Sequence, residues 1–158
     1  MEDVVLRGVS LEKNQAKVTI IGVPDKPGVA AGLFSALADS GTNVDMIVQN
    51  VSQDGTTDLT FTINKDDLNV ARKVIEAQVA KIGARSHTAR DGISKLSVVG
   101  IGMRSHTGVA AALFQALAQA GINIQMISTS EIKISVIIDE AEGARATQVA
   151  HDAFKLGT

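Results

Sequence analysis

The sequence predicts an α+β protein built of two βαββαβ units, the first inserted into the second. Three observations predict it. A segment recurs in the chain with an offset of 80 residues. Within each copy, apolar residues recur in the same order of periods, first that of a strand and then that of a helix. Finally, an apolar run at the N-terminus has no place in the first unit, while the second unit ends one strand short.

The repeat is explicit. Gly28 to Asn50 aligns with Gly108 to Ser130 without a gap, and 13 of the 23 positions are identical, from Gly28 and Val29 to Met46 and Ile47. Lys17 to Gly22 matches Lys95 to Gly100 when the second copy carries two extra loop residues. Duplication of a unit of this size explains the match, and such a unit is at the small end for a domain.

The elements of the first unit follow in order. Val18, Ile20 and Ile21 form a β-branched run ending at Gly22, which suits a buried strand. Ala30, Leu33, Phe34, Leu37 and Ala38 recur at three and four residues, which predicts a helix with one apolar stripe. Pro27 is expected in its first turn and Gly41 just past its end. Two strands follow. In one, Val44, Met46 and Val48 alternate with Asp45, Ile47 and Gln49; in the other, Leu59, Phe61 and Ile63 alternate with Thr60 and Thr62. Asp54-Gly55 is the turn between them. Leu68, Ala71, Ile75, Val79 and Ile82 mark a second helix, and Ala84 to Ala89 a weak final strand. The order is that of a ferredoxin-like unit, two helices on one face of an antiparallel sheet.

The second copy predicts a strand at Leu96–Ile101, a helix at Gly108–Ala120, strands at Ile122–Ser128 and Ile132–Ile138, and a helix at Glu142–Phe154. The N-terminal strand Val4–Val9 is expected to complete its sheet. The domains are therefore expected at residues 15–90 and at residues 4–10 together with 93–156.

Composition narrows the function. The 158 residues carry 15 Lys and Arg against 17 Asp and Glu, with no Cys, Trp or Tyr. A nucleic-acid binder would show a basic face and stacking aromatics, so no nucleic-acid partner is expected. Without cysteine there is no disulfide, no thiolate metal site and no cysteine nucleophile. No apolar stretch reaches the roughly 18 residues of a membrane span, and Met1-Glu2-Asp3 is acidic where a secretory leader is basic. A cytoplasmic protein without membrane contact is the expectation.

Catalytic chemistry is missing as well. There is no phosphate-binding glycine loop; Gly100-Ile-Gly102 is a fragment that lets a loop bend. His87, His106 and His151 lack metal-pair spacing and read as solvated or hydrogen-bonded surface residues. The acidic pairs Asp66-Asp67 and Asp139-Glu140 suit helix starts. Ser105-His106 has no orienting acid. No catalytic residue, metal or cofactor is expected.

What distinguishes the copies is one loop. Val23-Pro-Asp-Lys-Pro-Gly28 holds both prolines of the chain, which stiffen it where it enters a helix N-terminus. Free backbone amides there favour a carboxylate, and Asp25 beside them suits an ammonium, so together they suit an α-amino acid. Equally, Asp25 suits an N-cap that supports the first helical turn. The aligned place in the second copy is Ser105, with Thr107 in place of the second proline. Gln49 and Thr129 differ in the same way. Asn43 and Asn123 agree and suit turn amides; Met46, Met126, Phe34 and Phe114 suit the core.

These residues carry a resemblance. Val23-Pro-Asp-Lys-Pro-Gly28, Val44-Asp-Met-Ile-Val-Gln-Asn-Val-Ser52, Gly55-Thr-Thr-Asp58, Lys95 to Gly102 and Ile127-Ser-Thr-Ser-Glu-Ile-Lys-Ile-Ser135 resemble paired ACT domains, specifically the regulatory region of bacterial aspartate kinase. The resemblance covers essentially the whole chain. It implies a regulatory chain that binds threonine, and in many members lysine, and so mediates feedback inhibition of the aspartate pathway, with the kinase domain or α subunit as its partner. It implies a homodimer in which the first unit of one chain lies beside the second unit of the other, with effector at the seam. Position by position, Asp25 would meet the effector's ammonium and the amides of Gly28, Val29 and Ala30 its carboxylate. Gln49 would reach its polar groups, and the partner copy's Asn123 and Ile124 would complete the pocket. Asn43, Ser52, Ser105, Ser130 and Glu131 match positions near the seam. The rival expectation is an ACT-domain amino-acid sensor of a different metabolic enzyme.

Overall fold

In a computed structural model, the structure describes residues 5–101, 107–130 and 132–154. Six strands and four helices occur among them: β1 Val5–Pro24, α1 Val29–Asp39, β2 Val44–Val51, β3 Thr56–Asn64, α2 Leu68–Ile82, β4 Ser86–Ile101, α3 Thr107–Gln119, β5 Met126–Thr129, β6 Lys133–Asp139 and α4 Gly143–Phe154. The chain divides into two compact units. The first is Asn14–Asp91, and the second joins the segment ending at Lys13 to the segment beginning at Gly92.

Two strands are much longer than the sequence predicts. The expected run Val4–Val9, described from Val5 on, and Val18–Ile21 belong to one 20-residue strand, and the expected closing strand, from Ser86 on, continues through Leu96 as one 16-residue strand. The polar stretches between these runs, such as Glu12-Lys-Asn-Gln15, read as loop because they break the apolar alternation. Each long strand passes from one unit to the other at a residue of positive φ, Asn14 at 65° and Gly92 at 74°. Both residue types tolerate that left-handed backbone. Asn14 is held further by its side-chain amide, which donates to Asn64 Oδ1 at 3.0 Å and Asp66 Oδ2 at 3.1 Å.

In the first unit the strand order is β2-β3-β1-β4. Antiparallel register pairs Val18 with Phe61 and Ile20 with Leu59, so these residues share one face of the sheet. Against that face pack Leu33 and Leu37 of α1 and Ala71 and Ile75 of α2, all essentially inaccessible to water. Phe34 meets Phe61 edge to face with ring centroids 5.4 Å apart, a favoured aromatic geometry.

The second unit repeats this with the order β1-β4-β6-β5. Leu96, Val98, Ile134, Val136 and Ile138 face Leu113, Leu117, Ala146 and Ala150. Val9 and Leu11 of β1 pack on this core, so the N-terminal strand completes the second sheet and the first unit is inserted into the second. A side chain at Gly143 would place its Cβ 3.1 Å from a Leu11 methyl, so α4 starts with glycine where it crosses β1. Glu12 on the same stretch of β1 pairs with the nearly buried Lys95 at 2.9 Å.

Other boundaries differ slightly. Pro27 precedes α1 rather than lying within it, and Ile122–Gln125 lead into β5 without being part of it. Asp66-Asp67 sit in a short 3-10 turn, Lys65–Asp67, that opens into α2, while Asp139 ends β6 just before the turn Glu140–Glu142 that opens into α4. In β2 the expected alternation fails. The register with β3 shifts between Val44 and Ile47, and Met46 N–H donates to the buried Thr62 hydroxyl at 3.0 Å. That bulge turns Ile47 and Gln49, not Val48, to the helix face.

If β1 builds the second core, truncating Leu11 harms that unit selectively. Leu11→Ala is expected to cost about 1–2 kcal/mol, as its side chain is only partly buried. Hydrogen exchange should show amides of Leu96 and Val98 losing protection while Phe61 and Ile63 keep theirs; uniform loss in both units would contradict the topology.

Candidate functional site

The asymmetric loop lies at the hairpin end of the first unit's sheet. Pro24 is the last residue of β1 and pairs with Thr56, the first of β3. Asp25 N–H then donates to Gly55 O at 3.0 Å, so the loop is tied to the β2–β3 turn by its backbone. Gly28 precedes α1 with φ 90° and makes no side-chain cap. A glycine is suited to this backbone, and it leaves the amides of the first turn without a side-chain acceptor.

Asp25 does not serve as the cap. It is exposed, and among the described residues its carboxylate makes no hydrogen bond or ion pair. The amides of Val29 and Gly32 turn back to Lys26 O and Gly28 O, at 3.3 and 3.0 Å. With those two amides occupied, the amides of Gly28, Ala30 and Ala31 have no acceptor among the described residues, a few residues from the exposed Asp25.

Gln49 joins this end of the molecule. It pairs with Leu59, whose side chain lies in the core under the helices, so Gln49 projects on the helix face of the sheet. It is exposed because β2 is the outermost strand. Asp25, the Gly28–Ala30 segment and Gln49 thus share one end and one face of the first unit. Asn43 is exposed after the Gly41 turn at the far end of α1. A groove of about 660 Å³ between α1 and the end of α2 is lined by Pro27, Gly28, Val29, Gly32, Lys81 and Ile82, and neither Asp25 nor Gln49 reaches it.

In the second unit, Asn123 is exposed two residues after Gly121, and Ile124 leans half-buried on the core. Ser130 builds its own turn: its Oγ accepts from Ile132 N at 3.3 Å and Lys133 N at 3.2 Å. Ser52 also ties its turn in the first unit, with its amide on Thr56 O at 2.9 Å. Ser105 and Glu131 lie outside the described residues. Among the described residues no group of His, Asp and Glu is placed to hold a metal, and no helix is long and apolar enough to cross a membrane. His151 is half-buried rather than solvated, and its Nδ1 is buried without a hydrogen-bond partner.

Sequence reasoning missed the residues that hold the loop. Asp54 Oδ1 accepts from Thr56 N–H at 3.1 Å and from its hydroxyl at 2.6 Å, an Asx turn. Arg85 approaches Asp54 at 3.6 Å, and its own amide bonds Ile21 O at 2.9 Å. Arg85 fits there because a Cβ on Gly22, whose φ is 72°, would stand 2.8 Å from Arg85 Cβ. Gly22 N–H in turn donates to Asp58 Oδ1 at 2.9 Å. The readable signal was an aspartate two residues before a threonine, with glycine between.

Two ferredoxin-like units in tandem, differing at one strand-to-helix loop, define the fold class. The ACT domain family model matches residues 18–79 and 96–154, one match in each repeat. The crystal structure of aspartokinase alpha and beta subunits contains a chain 50% identical, with a TM-score of 0.88, covering 96% of this chain and 99% of that one. The ligand-free regulatory subunit of aspartate kinase from Thermus thermophilus is 42% identical with a TM-score of 0.89, covering 95% and 99%. The aspartate kinase Ask_LysC of Stutzerimonas stutzeri is 49% identical over 99% of this chain, which spans 38% of that relative. The chain belongs to the ACT-domain family, among the regulatory chains of aspartate kinase.

The Asp54 turn has a signature in acid. Hydrogen bonds from Thr56 and Ser52, with Arg85 adding a smaller contribution, hold its carboxyl below the ordinary aspartate value. A carboxyl lowered by folding stabilises above its unfolded value, and that contribution disappears as pH falls through the folded value. Asp54→Asn is therefore expected to lose less stability than the parent below about pH 4. Urea midpoints across the acid range check this, and parallel profiles would contradict it.

Proposed function

We propose that this chain binds threonine at the tip of α1 and thereby mediates feedback inhibition of an associated aspartate kinase catalytic domain or subunit. The observation that carries the proposal is the unpaired Asp25 carboxylate, fixed through its backbone beside an uncapped helix start. An α-amino acid offers the complementary pair of charges: its ammonium to Asp25, its carboxylate to the amides near Gly28, Val29 and Ala30. Gln49, on the same face, offers an amide to the ligand's side chain. Lysine is the second candidate effector, as in the resemblance above.

The remaining wall comes from a second copy. β2 and β5 are the outer strands, and they expose Ile47, Val48, Val51 and Ile127 to water. Apolar edge strands favour pairing with another chain. Joining the β2 edge of one copy to the β5 edge of another brings the partner copy's Asn123 and Ile124 to the effector. In this reading residues 15–90, and 4–10 with 93–156, are the two effector-domain halves of each seam. Bound effector then favours one arrangement of the regulatory dimer, and that arrangement opposes the active kinase. The relatives' names support the kinase connection, and the regulatory-subunit matches support a chain that acts on a catalytic partner.

Isothermal titration against threonine, lysine, methionine and the branched-chain amino acids tests this. Threonine should bind, and Asp25→Ala should weaken it about 10- to 100-fold by removing one charge-assisted contact. No heat from any of these amino acids would overturn the proposal, lysine alone would make it the effector in threonine's place, and methionine or a branched-chain amino acid alone would redirect the proposal to a different metabolic enzyme.

A further inference from the structure

We infer that Asp54 is a positioning residue for the effector loop, acting through the β2–β3 turn rather than by touching the ligand. The inference rests on the amino-acid site proposed above, and it assigns that site a support that is seen, among the described residues, in the first repeat.

The chain of contacts is short. Asp54 holds Thr56 by two hydrogen bonds, to its amide and to its hydroxyl. Between them stands Gly55, at φ 82°, a backbone that glycine adopts without strain. Its carbonyl is thereby aimed at Asp25 N–H, 3.0 Å away. Ser52 closes the other side, with its amide on Thr56 O. Arg85 then approaches the outer oxygen of Asp54 at 3.6 Å. Both partners of that pair are more than half exposed, so it contributes little by itself. The Asx turn carries the effect, and Arg85 orients it.

The second repeat lacks this device. Its strands are joined by three residues, 130–132, where the first repeat uses four, 52–55. No aspartate occurs there, and among the described residues it is the Ser130 hydroxyl that accepts the turn amides, those of Ile132 and Lys133. Gly100 N–H is bonded to Ile132 O, whereas its counterpart Gly22 N–H is bonded to the Asp58 carboxylate. The repeat with Asp25 in its loop is the repeat with the Asp54-Gly55-Thr56 turn. A loop stiffened by two prolines still needs its anion placed along one direction, and the Gly55 carbonyl supplies that constraint. Preorganisation of this kind raises affinity by lowering the ordering cost of binding.

The test has two arms on the full chain. In the first, NMR-detected hydrogen exchange without ligand follows the Asp25 amide. Asp54→Ala should speed its exchange about three- to tenfold, the worth of one weakened hydrogen bond, while Leu59 and Phe61 amides keep theirs. Asp54→Asn keeps an acceptor for Thr56 and should restore the parent rate. In the second arm, threonine affinity should fall by a similar factor in Asp54→Ala and return in Asp54→Asn. An Asp25 amide that exchanges alike in all three proteins overturns the inference. So does unchanged affinity in Asp54→Ala when the parent binds. If the parent binds no threonine but the exchange arm behaves as expected, the turn's hold on the loop stands and the ligand reading is what fails.

Discussion

A single backbone hydrogen bond, from Asp25 N–H to Gly55 O, decides what the distinctive loop of this protein presents. It joins the end of β1 to the β2–β3 turn, just where the chain leaves the sheet for α1. With that bond in place, an aspartate whose carboxylate has no described partner stands beside a helix that begins at an uncapped glycine. Remove it, and two prolines would still stiffen the loop without fixing its direction. The first-turn amides and the carboxylate are individually ordinary. Their juxtaposition, opposite charges a few residues apart at one tip, is what matches a zwitterion.

The fold serves this arrangement by repetition with divergence. Each unit packs two helices on one face of a four-stranded sheet, using equivalent residues: Leu33 and Leu37 in one, Leu113 and Leu117 in the other. The cores are alike because packing tolerates little change in volume. The loops and turns are free to differ, and they do. The first copy has Asp25 in its loop, an Asp54-Gly55 turn and Gln49; the second has Ser105, a Ser130-Glu131 turn and Thr129. Because β1 and β4 each contribute to both units, the first repeat is tethered at both ends to the second.

Much of this was legible in the sequence. The repeat, the helices and the insertion topology follow from spacing and from one missing strand. Two features were not. The continuous long strands were hidden because Glu12 to Gln15 and Arg90 to Gly92 interrupt the apolar pattern, and their pairing is decided by neighbouring strands rather than local preference. The β2 bulge was hidden because it depends on a cross-strand bond from Met46 to Thr62, a contact that no period reports. That shift matters: it places Gln49 on the helix face, where the site reading needs it. Asp25 stood out because two prolines marked its loop. Asp54 read only as a turn signal, since its reach to Thr56 and the effect on Asp25 appear only when three strands are side by side.

The most direct measurement is a crystal structure of the chain grown with threonine. The account predicts the amino acid at the tip of α1, its ammonium on the Asp25 carboxylate, its carboxylate on the first-turn amides, and a second copy's Asn123 closing the pocket. A monomer, or a dimer in which Asp25 faces water and threonine is absent or lodged elsewhere, would contradict it.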